Sequence, residues 1–237
     1  NDILNGGQGA PLAPLFHQLM ISQKKVELPV CVLNIGGISN LTIINGYIGS
    51  LDFFSKDIGP GNCLIDNWIR NNSEKKFDEN GNLSKSGEIN EIILEQAQEL
   101  FANRKNIKKL SFDLSDFDIS FARGLSLEDG ARTLTELTAN VLGEAIINEC
   151  QKLNIKAKKI LLCGGGRKNK FLIEKIQRNI KSYFNLQLID DLQINGDFVE
   201  SQAFAFLAIR SFIKLPITFP NTTGCKSPCL GGMLLSR

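Results

Sequence analysis

The sequence has a single histidine, a single tryptophan and no long apolar run, and these absences exclude several classes of protein. No stretch approaches the roughly 20 consecutive apolar residues that a membrane-spanning helix requires. The N-terminus has no basic segment followed by a hydrophobic signal core. The six cysteines include no CxxC pair and form no group with the histidine, so they offer no zinc-like spacing. We therefore expect reduced thiols in a cytoplasmic protein that neither enters a membrane nor is secreted.

An excess of charge of one sign is also lacking. The 27 basic and 25 acidic residues give a formal net charge of +2, and the lysines and arginines are spread along the chain. Nothing indicates an electrostatic track for nucleic acid, so a small molecule is the expected partner. A hydrophobic content of 43% over 237 residues is enough for a sizeable core. The chain begins at Asn1 without an initiator methionine, and we expect that a further segment precedes it.

Short β-branched runs separated by turn residues follow the N-terminal segment. Residues 29–34 and 40–44 are joined through Gly36 and Gly37, and residues 47–51 follow an Asn-Gly turn. This pattern is typical of antiparallel hairpins. Residues 57–62, with the sequence DIGPGN, contain two glycines and a proline, so we predict a loop there.

The rest of the chain alternates helical and strand patterns. The strongest helix prediction is 126–152, where Ser126 and Asp129 suit a capping box and apolar residues form one face. Other helices are predicted at 63–70, 88–103, 169–183 and 200–213, strands at 159–163 and 186–189, an exposed connection at 71–86 and an irregular tail at 216–228. Alternation of helix, strand and helix is typical of an α/β fold.

Two glycine turns are candidates for binding a phosphate or a nucleotide, because glycine lets the backbone approach a ligand closely. Gly36 and Gly37 lie between two strands, where an ordinary tight hairpin is the favoured alternative. Gly164, Gly165 and Gly166 follow a strand and precede a helix, whose N-terminus favours an anion or leaves open backbone for a purine. A plain turn would not need three successive glycines, which cost conformational entropy.

Several motifs in a fixed order carry a resemblance to a known family. They are GGQGAPL at 6–12 with Phe16 and His17, LNIGGISNLT at 33–42, DIGPGN at 57–62 with Asp66 and Trp68, ARTLTELTA at 131–139, CGGG at 163–166 with Asn169, and ESQAFAF at 200–206. Their order resembles the superfamily of actin, hexokinase and the 70-kDa chaperones. Within it, the residues of these motifs are similar to those of the anhydro-N-acetylmuramic acid kinases, a bacterial family of cell-wall recycling.

The resemblance implies a reaction. The family opens the 1,6-anhydro bridge of its sugar with water while it transfers the γ-phosphoryl group of ATP to O6. Asp57 matches the family's general base, although an aspartate in a loop is by itself more often a turn former. Mg²⁺ is the expected metal, with no ligands assigned, because phosphoryl transfer requires charge neutralisation.

The resemblance also implies ligand contacts. Asn34, Gly36 and Gly37 are expected at the phosphates, and Gly164, Gly165 and Gly166 near the adenosine. Asn169 either caps the next helix or approaches the nucleotide. Substrate contacts are implied for Glu200, His17, Gly59 and Asn62, although a first-turn acid and a lone histidine often have structural roles. The role of Asp66 stays open.

The implied fold is an α/β, actin/hexokinase-like (ribonuclease H-like) lobe with a mixed sheet flanked by helices. Residues 26–237 would form this C-terminal nucleotide-binding lobe, and residues 1–25 the remainder of a truncated N-terminal lobe. The family's first glycine hairpin is absent, Leu114 replaces a frequent arginine, and Ile58 replaces a threonine. These departures leave two alternatives, a non-catalytic remnant and a related kinase for another sugar. A homodimer is also possible.

Overall fold

A computed structural model describes residues 1–104, 112–155, 157 and 159–232. Its centre is a five-stranded sheet in the order β3-β2-β1-β4-β5. The strands are β1 (Val30–Ile35), β2 (Ile38–Ile44), β3 (Phe53–Pro60), β4 (Lys159–Cys163) and β5 (Asn185–Leu188). The first three pair antiparallel, whereas β4 is parallel to β1 and β5 to β4. The sheet is therefore mixed, as predicted.

Helices cover both faces of this sheet. They are α1 (Pro14–Gln23), α2 (Cys63–Asn72), α3 (Asn82–Ser86), α4 (Glu91–Arg104), α5 (Leu127–Lys152), α6 (Lys170–Ile180), α7 (Val199–Phe212) and α8 (Pro220–Thr223). Five of them match predicted positions, and α1, α3 and α8 add to the prediction. None of the described helices is long and apolar enough to cross a bilayer.

The alternating side chains of β1 divide the core into two clusters. Cys31 and Leu33 pack with α2, α4, α5 and α6 on one face. Val30 and Val32 pack with α1, α7 and Phe219 on the other. Successive side chains of a strand point to opposite faces, and a strand covered on both sides is apolar on both. Helix α1 therefore packs on the same sheet as α7, although it lies in the segment 1–25.

The start of α5 is capped in a different way from the predicted capping box. The Ser126 hydroxyl accepts a hydrogen bond from the Asp129 N–H at 3.0 Å, as expected for an N-cap. The Asp129 carboxylate accepts from the Glu88 N–H at 2.8 Å and so ties the preceding segment to α5. Trp68 donates to the Leu127 carbonyl at 2.9 Å and holds α2 against the same helix end.

The loop prediction for residues 57–62 is wrong in its first part, because Asp57 to Pro60 belong to β3. The predicted strand at 47–51 is instead part of the connection before β3. A bulge explains how the strand continues: Asn40 is opposite Asp57 and Ser39 is opposite Gly59, so Ile58 is the extra residue. Since β3 is at an edge of the described sheet, proline at its end costs no ladder hydrogen bond.

The predicted irregular tail at 216–228 is more ordered than expected. It contains α8 and an antiparallel bridge between Thr218 and Cys229. The Lys226 N–H donates to the Asn5 carbonyl at 3.0 Å, and the Gln8 N–H donates to the Thr223 carbonyl at 2.9 Å. The connection predicted at 71–86 likewise contains a 3-10 turn and α3. Local propensity did not indicate these short elements, since tertiary contacts stabilise them.

Candidate active site

A row of polar side chains crosses the sheet near the end of β1. Asn40 of β2 is directly opposite Asn34 of β1 on one side and Asp57 of β3 on the other. Asn34 is also opposite Cys163 of β4, whose thiol donates to Asn34 Oδ1 at 3.6 Å. Directly opposed residues in neighbouring strands point to the same face of a sheet. These four side chains therefore form one polar row across four strands.

Asp57 is the carboxylate of this row, and it is nearly buried, with 7% of the residue exposed. Its Oδ2 accepts a hydrogen bond from the Phe112 N–H at 2.9 Å. Burial raises the pKa of the Asp57 carboxyl to about 6, although the hydrogen bond from Phe112 opposes this shift. A carboxyl with a pKa near 6 is ionised at neutral pH and accepts a proton more readily than an exposed aspartate.

A cavity of about 220 Å³ opens beside the row. Its polar lining includes His17 of α1, Asn34, Asn40, Asp57 and Glu200 of α7. The segment from Gly9 to Ala13 completes one wall. Four elements, α1, β1, β3 and α7, thus bring four predicted site residues together. They are the general-base candidate, two substrate candidates and one phosphate candidate. Glu200 remains exposed in the first turn of α7.

A second cavity, of about 700 Å³, lies at the turn after β4. Asn62, Asp66, Gly165, Arg167 and Asn169 are among the residues that line it. The lining therefore includes Gly165, a predicted adenosine contact, and Asn169, which was expected either to cap a helix or to contact the nucleotide. It also includes Asn62, which was predicted to contact the sugar. Burial raises the pKa of the Asp66 carboxyl, and the nearby positive charge of Arg70 opposes this shift.

The three glycines of this turn meet different surroundings. Gly164 has φ +80°, and a Cβ there would meet the Ile35 carbonyl oxygen at 2.6 Å. A Cβ on Gly166 would overlap the Ile35 side chain. A Cβ on Gly165, in contrast, would meet no atom within 4 Å. Gly164 and Gly166 are thus required by packing against β1, whereas Gly165 presents bare backbone to the larger cavity.

Arg167 fixes the conformation of this turn, and no motif in the sequence indicated this role. Its Nη1 donates to the Gly164 carbonyl at 3.0 Å, and its Nε and Nη2 donate to the two oxygens of Asp190 at 2.8 and 3.1 Å. Nη1 also contacts Asp197 at 2.9 Å. The hydrogen bonds from Arg167 lower the pKa of Asp190 to about 2. A bidentate pair of this kind holds planar groups in one orientation.

Asn169 performs one of its two expected roles in the structure. Its Oδ1 accepts from the Leu172 N–H at 3.0 Å, so it caps α6. It also lines the larger cavity, and the nucleotide contact stays a prediction.

Gly36 and Gly37 form the turn between β1 and β2 and lean on the start of α2. Their carbonyl oxygens each accept a bond at 2.8 Å, from the N–H groups of Asn62 and Gly61 respectively. Neither glycine has a positive φ. Close approach explains the glycine at position 61, because a Cβ on Gly61 would overlap the Gly36 carbonyl.

Gly59 and Leu114 lie away from the two cavities. A Cβ on Gly59 would meet Val141 Cγ1 at 2.7 Å, so its bare backbone allows β3 to pack on α5. Leu114 is 59% exposed, and its Cδ2 lies 3.4 Å from the position of a Cβ on Gly37. Leu114, which replaces the frequent arginine of the family, therefore lies next to the turn of Gly36 and Gly37.

The fold and the site together define a class. A mixed five-stranded sheet flanked by helices, with one cavity at a polar row and another at a bare glycine turn, is an α/β lobe with two candidate ligand sites.

Comparison with known proteins identifies the family. The family model described as anhydro-N-acetylmuramic acid kinase matches residues 1–236, and the chain belongs to this family. A relative with that name from Pelagibacter ubique (strain HTCC1062) is 52% identical over 237 residues, which are 100% of this chain and 63% of the relative. Another from Agrobacterium fabrum is 40% identical over 99% of this chain and 62% of the relative. The chain thus spans less than two thirds of their length.

Among solved structures, one similar chain is the activator of a 2-hydroxyisocaproyl-CoA dehydratase from Clostridium difficile with bound ADPNP. It is 12% identical with a TM-score of 0.44, over 80% of this chain and 64% of that one.

Proposed function

We propose that the complete protein is an ATP-dependent kinase that opens 1,6-anhydro-N-acetylmuramic acid with water and phosphorylates its O6. The product would be N-acetylmuramic acid 6-phosphate, formed during cell-wall recycling. The observation that supports this most is the buried carboxyl of Asp57, with its pKa raised to about 6, in the wall of a small polar cavity. Family membership supports the choice of substrate.

In the proposed reaction, Asp57 accepts a proton from the water that attacks C1 of the sugar. The new C1–O bond forms as the C1–O6 bond of the bridge breaks, and O6 then takes the γ-phosphoryl group of ATP. ADP and the 6-phosphorylated sugar are the products. The ionised state of Asp57 at neutral pH suits this role, because a general base works best with a pKa near the operating pH.

The sugar is proposed to occupy the smaller cavity with His17 and Glu200 as contacts. Gly59 and Asn62, the other two predicted sugar contacts, lie outside it. We therefore give Gly59 the packing role described above and place Asn62 beside the nucleotide. Asn34 lines the sugar cavity and also abuts Gly164, so it is suited to contact the phosphates that join the two ligands.

The nucleotide is proposed to bind in the larger cavity, with the adenosine on Gly165. This assignment rests on the space above Gly165, which any side chain would occupy. Gly36 and Gly37 would meet the phosphates, and Asn169 would contact the nucleotide while it caps α6.

Mg²⁺ fits this site as an ion carried mainly by the nucleotide. Among the described residues, the group of metal-ligand side chains that the structure brings together is Asp2, Cys225 and Cys229, whose thiols are unsuited to magnesium. Magnesium commonly retains water and takes one or two carboxylates with substrate phosphates. Asp66 in the larger cavity offers such a carboxylate. When bound, the ion would neutralise charge on the transferred phosphoryl group.

The test is to incubate the complete protein with Mg-ATP and 1,6-anhydro-N-acetylmuramic acid and to identify products by mass spectrometry. A 6-phosphorylated sugar is expected. ATP binding without that product would contradict the substrate assignment and favour a kinase for another sugar. Absence of both ATP binding and the phosphorylated sugar would favour the non-catalytic alternative. The division into segments 1–25 and 26–237, the homodimer and the cytoplasmic location stay predictions.

A further inference from the structure

A chain of buried hydrogen bonds leads from the sugar cavity to the backbone of β2. His17 Nδ1 lies 2.9 Å from Thr42 Oγ1, Thr42 Oγ1 lies 3.2 Å from Ser55 Oγ, and the Ser55 hydroxyl donates to the Leu41 carbonyl at 3.2 Å. The side chains of His17, Thr42 and Ser55 are fully buried. Their hydroxyl hydrogens therefore have few alternative partners.

The carbonyl at the end of the chain sets the direction of every hydrogen bond in it. A carbonyl oxygen only accepts, so the hydrogen bond between Ser55 and Leu41 forms when Ser55 donates its single hydrogen. In that arrangement Thr42 donates its single hydrogen to Ser55, and its oxygen is left to accept from His17. The hydrogen of the neutral imidazole ring consequently lies on Nδ1, and Nε2 carries a lone pair.

The neutral state of His17 follows from its surroundings. Burial lowers the pKa of the imidazole to about 4, so the ring is uncharged at neutral pH. Nε2 is buried and has no hydrogen-bond partner among the described residues. A buried polar atom without a partner is costly, and a ligand that supplies one removes that cost.

We infer that Thr42 and Ser55 are positioning residues that fix His17 in the Nδ1-protonated tautomer, so that Nε2 accepts a hydrogen bond from a hydroxyl group of the bound sugar. This inference rests on the proposed function for the identity of the ligand only. Asn40 Oδ1 is a second buried acceptor in the same cavity without a partner among the described residues. Together with the carboxylates of Asp57 and Glu200, these atoms form a lining of acceptors that suits the hydroxyl donors of a sugar.

The tautomer is measurable without any substrate. In the complete protein labelled with ¹⁵N-histidine, the His17→Gln variant identifies the signals of His17, and two-bond couplings from ¹⁵N to the ring protons distinguish the two nitrogens. We expect a protonated Nδ1 and an unprotonated Nε2. A protonated Nε2 would overturn the inference, whether or not the protein phosphorylates the sugar.

Two substitutions test the role of the hydroxyl chain. Thr42→Val removes the acceptor for Nδ1–H with little change in shape, and the Nδ1-protonated signal should weaken or be replaced. Thr42→Ser retains the hydroxyl and should retain the tautomer. Ser55→Ala, which removes the next link, gives an independent measurement if Thr42→Val does not fold. An unchanged spectrum in both Thr42→Val and Ser55→Ala would contradict the positioning role.

Binding then connects the tautomer to the ligand. Addition of 1,6-anhydro-N-acetylmuramic acid should shift the Nε2 signal of the wild type, and Thr42→Val should raise KM for the sugar roughly tenfold with a smaller change in kcat. Thr42→Ser should stay near the wild-type KM. A sugar that binds and is phosphorylated without moving the Nε2 signal would overturn the hydroxyl contact and leave the proposed function intact. If no sugar binds but the tautomer is as expected, the proposed function fails and the hydrogen-bond chain stands.

Discussion

Asn40 and Asp57 lie directly opposite each other on β2 and β3, at the point where the bulge at Ile58 interrupts the pairing. The bulge lets Asp57 keep its place in the polar row while the chain continues towards α2. Both side chains reach the cavity that also contains His17. The carboxylate therefore has a strand rather than a loop as its support.

The raised pKa of Asp57 predicts an acidic limit to the reaction. Because the base must be ionised, kcat/KM for the anhydro sugar should rise with pH and level off above about pH 6. The measurement is a pH-rate profile of the complete protein. His17→Gln serves as the control, because the pKa of His17 is about 4. Its loss should leave the rise of kcat/KM near pH 6 unchanged. An unchanged rate from pH 5 to pH 8, a range of about three units around that pKa, would contradict the role of Asp57.

The glycine turn after β4 predicts that one substitution lowers ATP affinity and that its neighbour lowers stability. Gly165→Ala adds a methyl group that meets no protein atom, so stability should be near that of the wild type while ATP affinity falls about tenfold or more. Gly166→Ala should lower the free energy of unfolding by roughly 1–3 kcal/mol, because its Cβ would overlap Ile35. Calorimetric ATP titration and denaturant unfolding test the pair. Normal ATP affinity in a folded Gly165→Ala variant would argue against adenosine on this turn.

Arg167 is expected to be the support of the same turn. Arg167→Gln removes the bonds to Gly164, Asp190 and Asp197 and should lower the free energy of unfolding by roughly 2–3 kcal/mol. ATP affinity should fall with it. Lys168→Gln is the matched control for stability, because Lys168 is exposed and pairs with Asp197 only at its tip. Equal effects of the two variants on the free energy of unfolding would show that Arg167 has no special part.

The buried histidine predicts a pH-dependent stability with a defined sign. Since the folded pKa of about 4 is below the ordinary value of 6.5, the unfolded chain binds more protons between these pH values. The free energy of unfolding should therefore fall as pH decreases through this window, by on the order of 3 kcal/mol at full effect. Asp57 has the opposite shift, so the measurement is best made in Asp57→Asn.

In that background, denaturant unfolding at several pH values should show the decrease, and the additional His17→Gln substitution should remove most of it. A pH-independent difference between the two variants would contradict a buried neutral histidine.

The sequence predicted the elements whose signals are local, and the helix α5 and strand β4 are confirmed. The error at β3 arose because proline and glycine usually end strands, while an edge strand with a bulge tolerates both. The polar row was missed for a related reason: Asn40 has meaning only through its register with Asp57. Arg167 was missed because its partners, Asp190 and Asp197, are distant in sequence.

The central claim is that Asp57 activates the water that opens the sugar. The most direct measurement compares Asp57→Asn with the wild type, both as complete proteins, for formation of the 6-phosphorylated sugar and for ATP affinity. We expect at least a thousandfold lower kcat, in the range that general-base removal reaches, with ATP affinity within about twofold. Near-normal turnover in Asp57→Asn would contradict the claim.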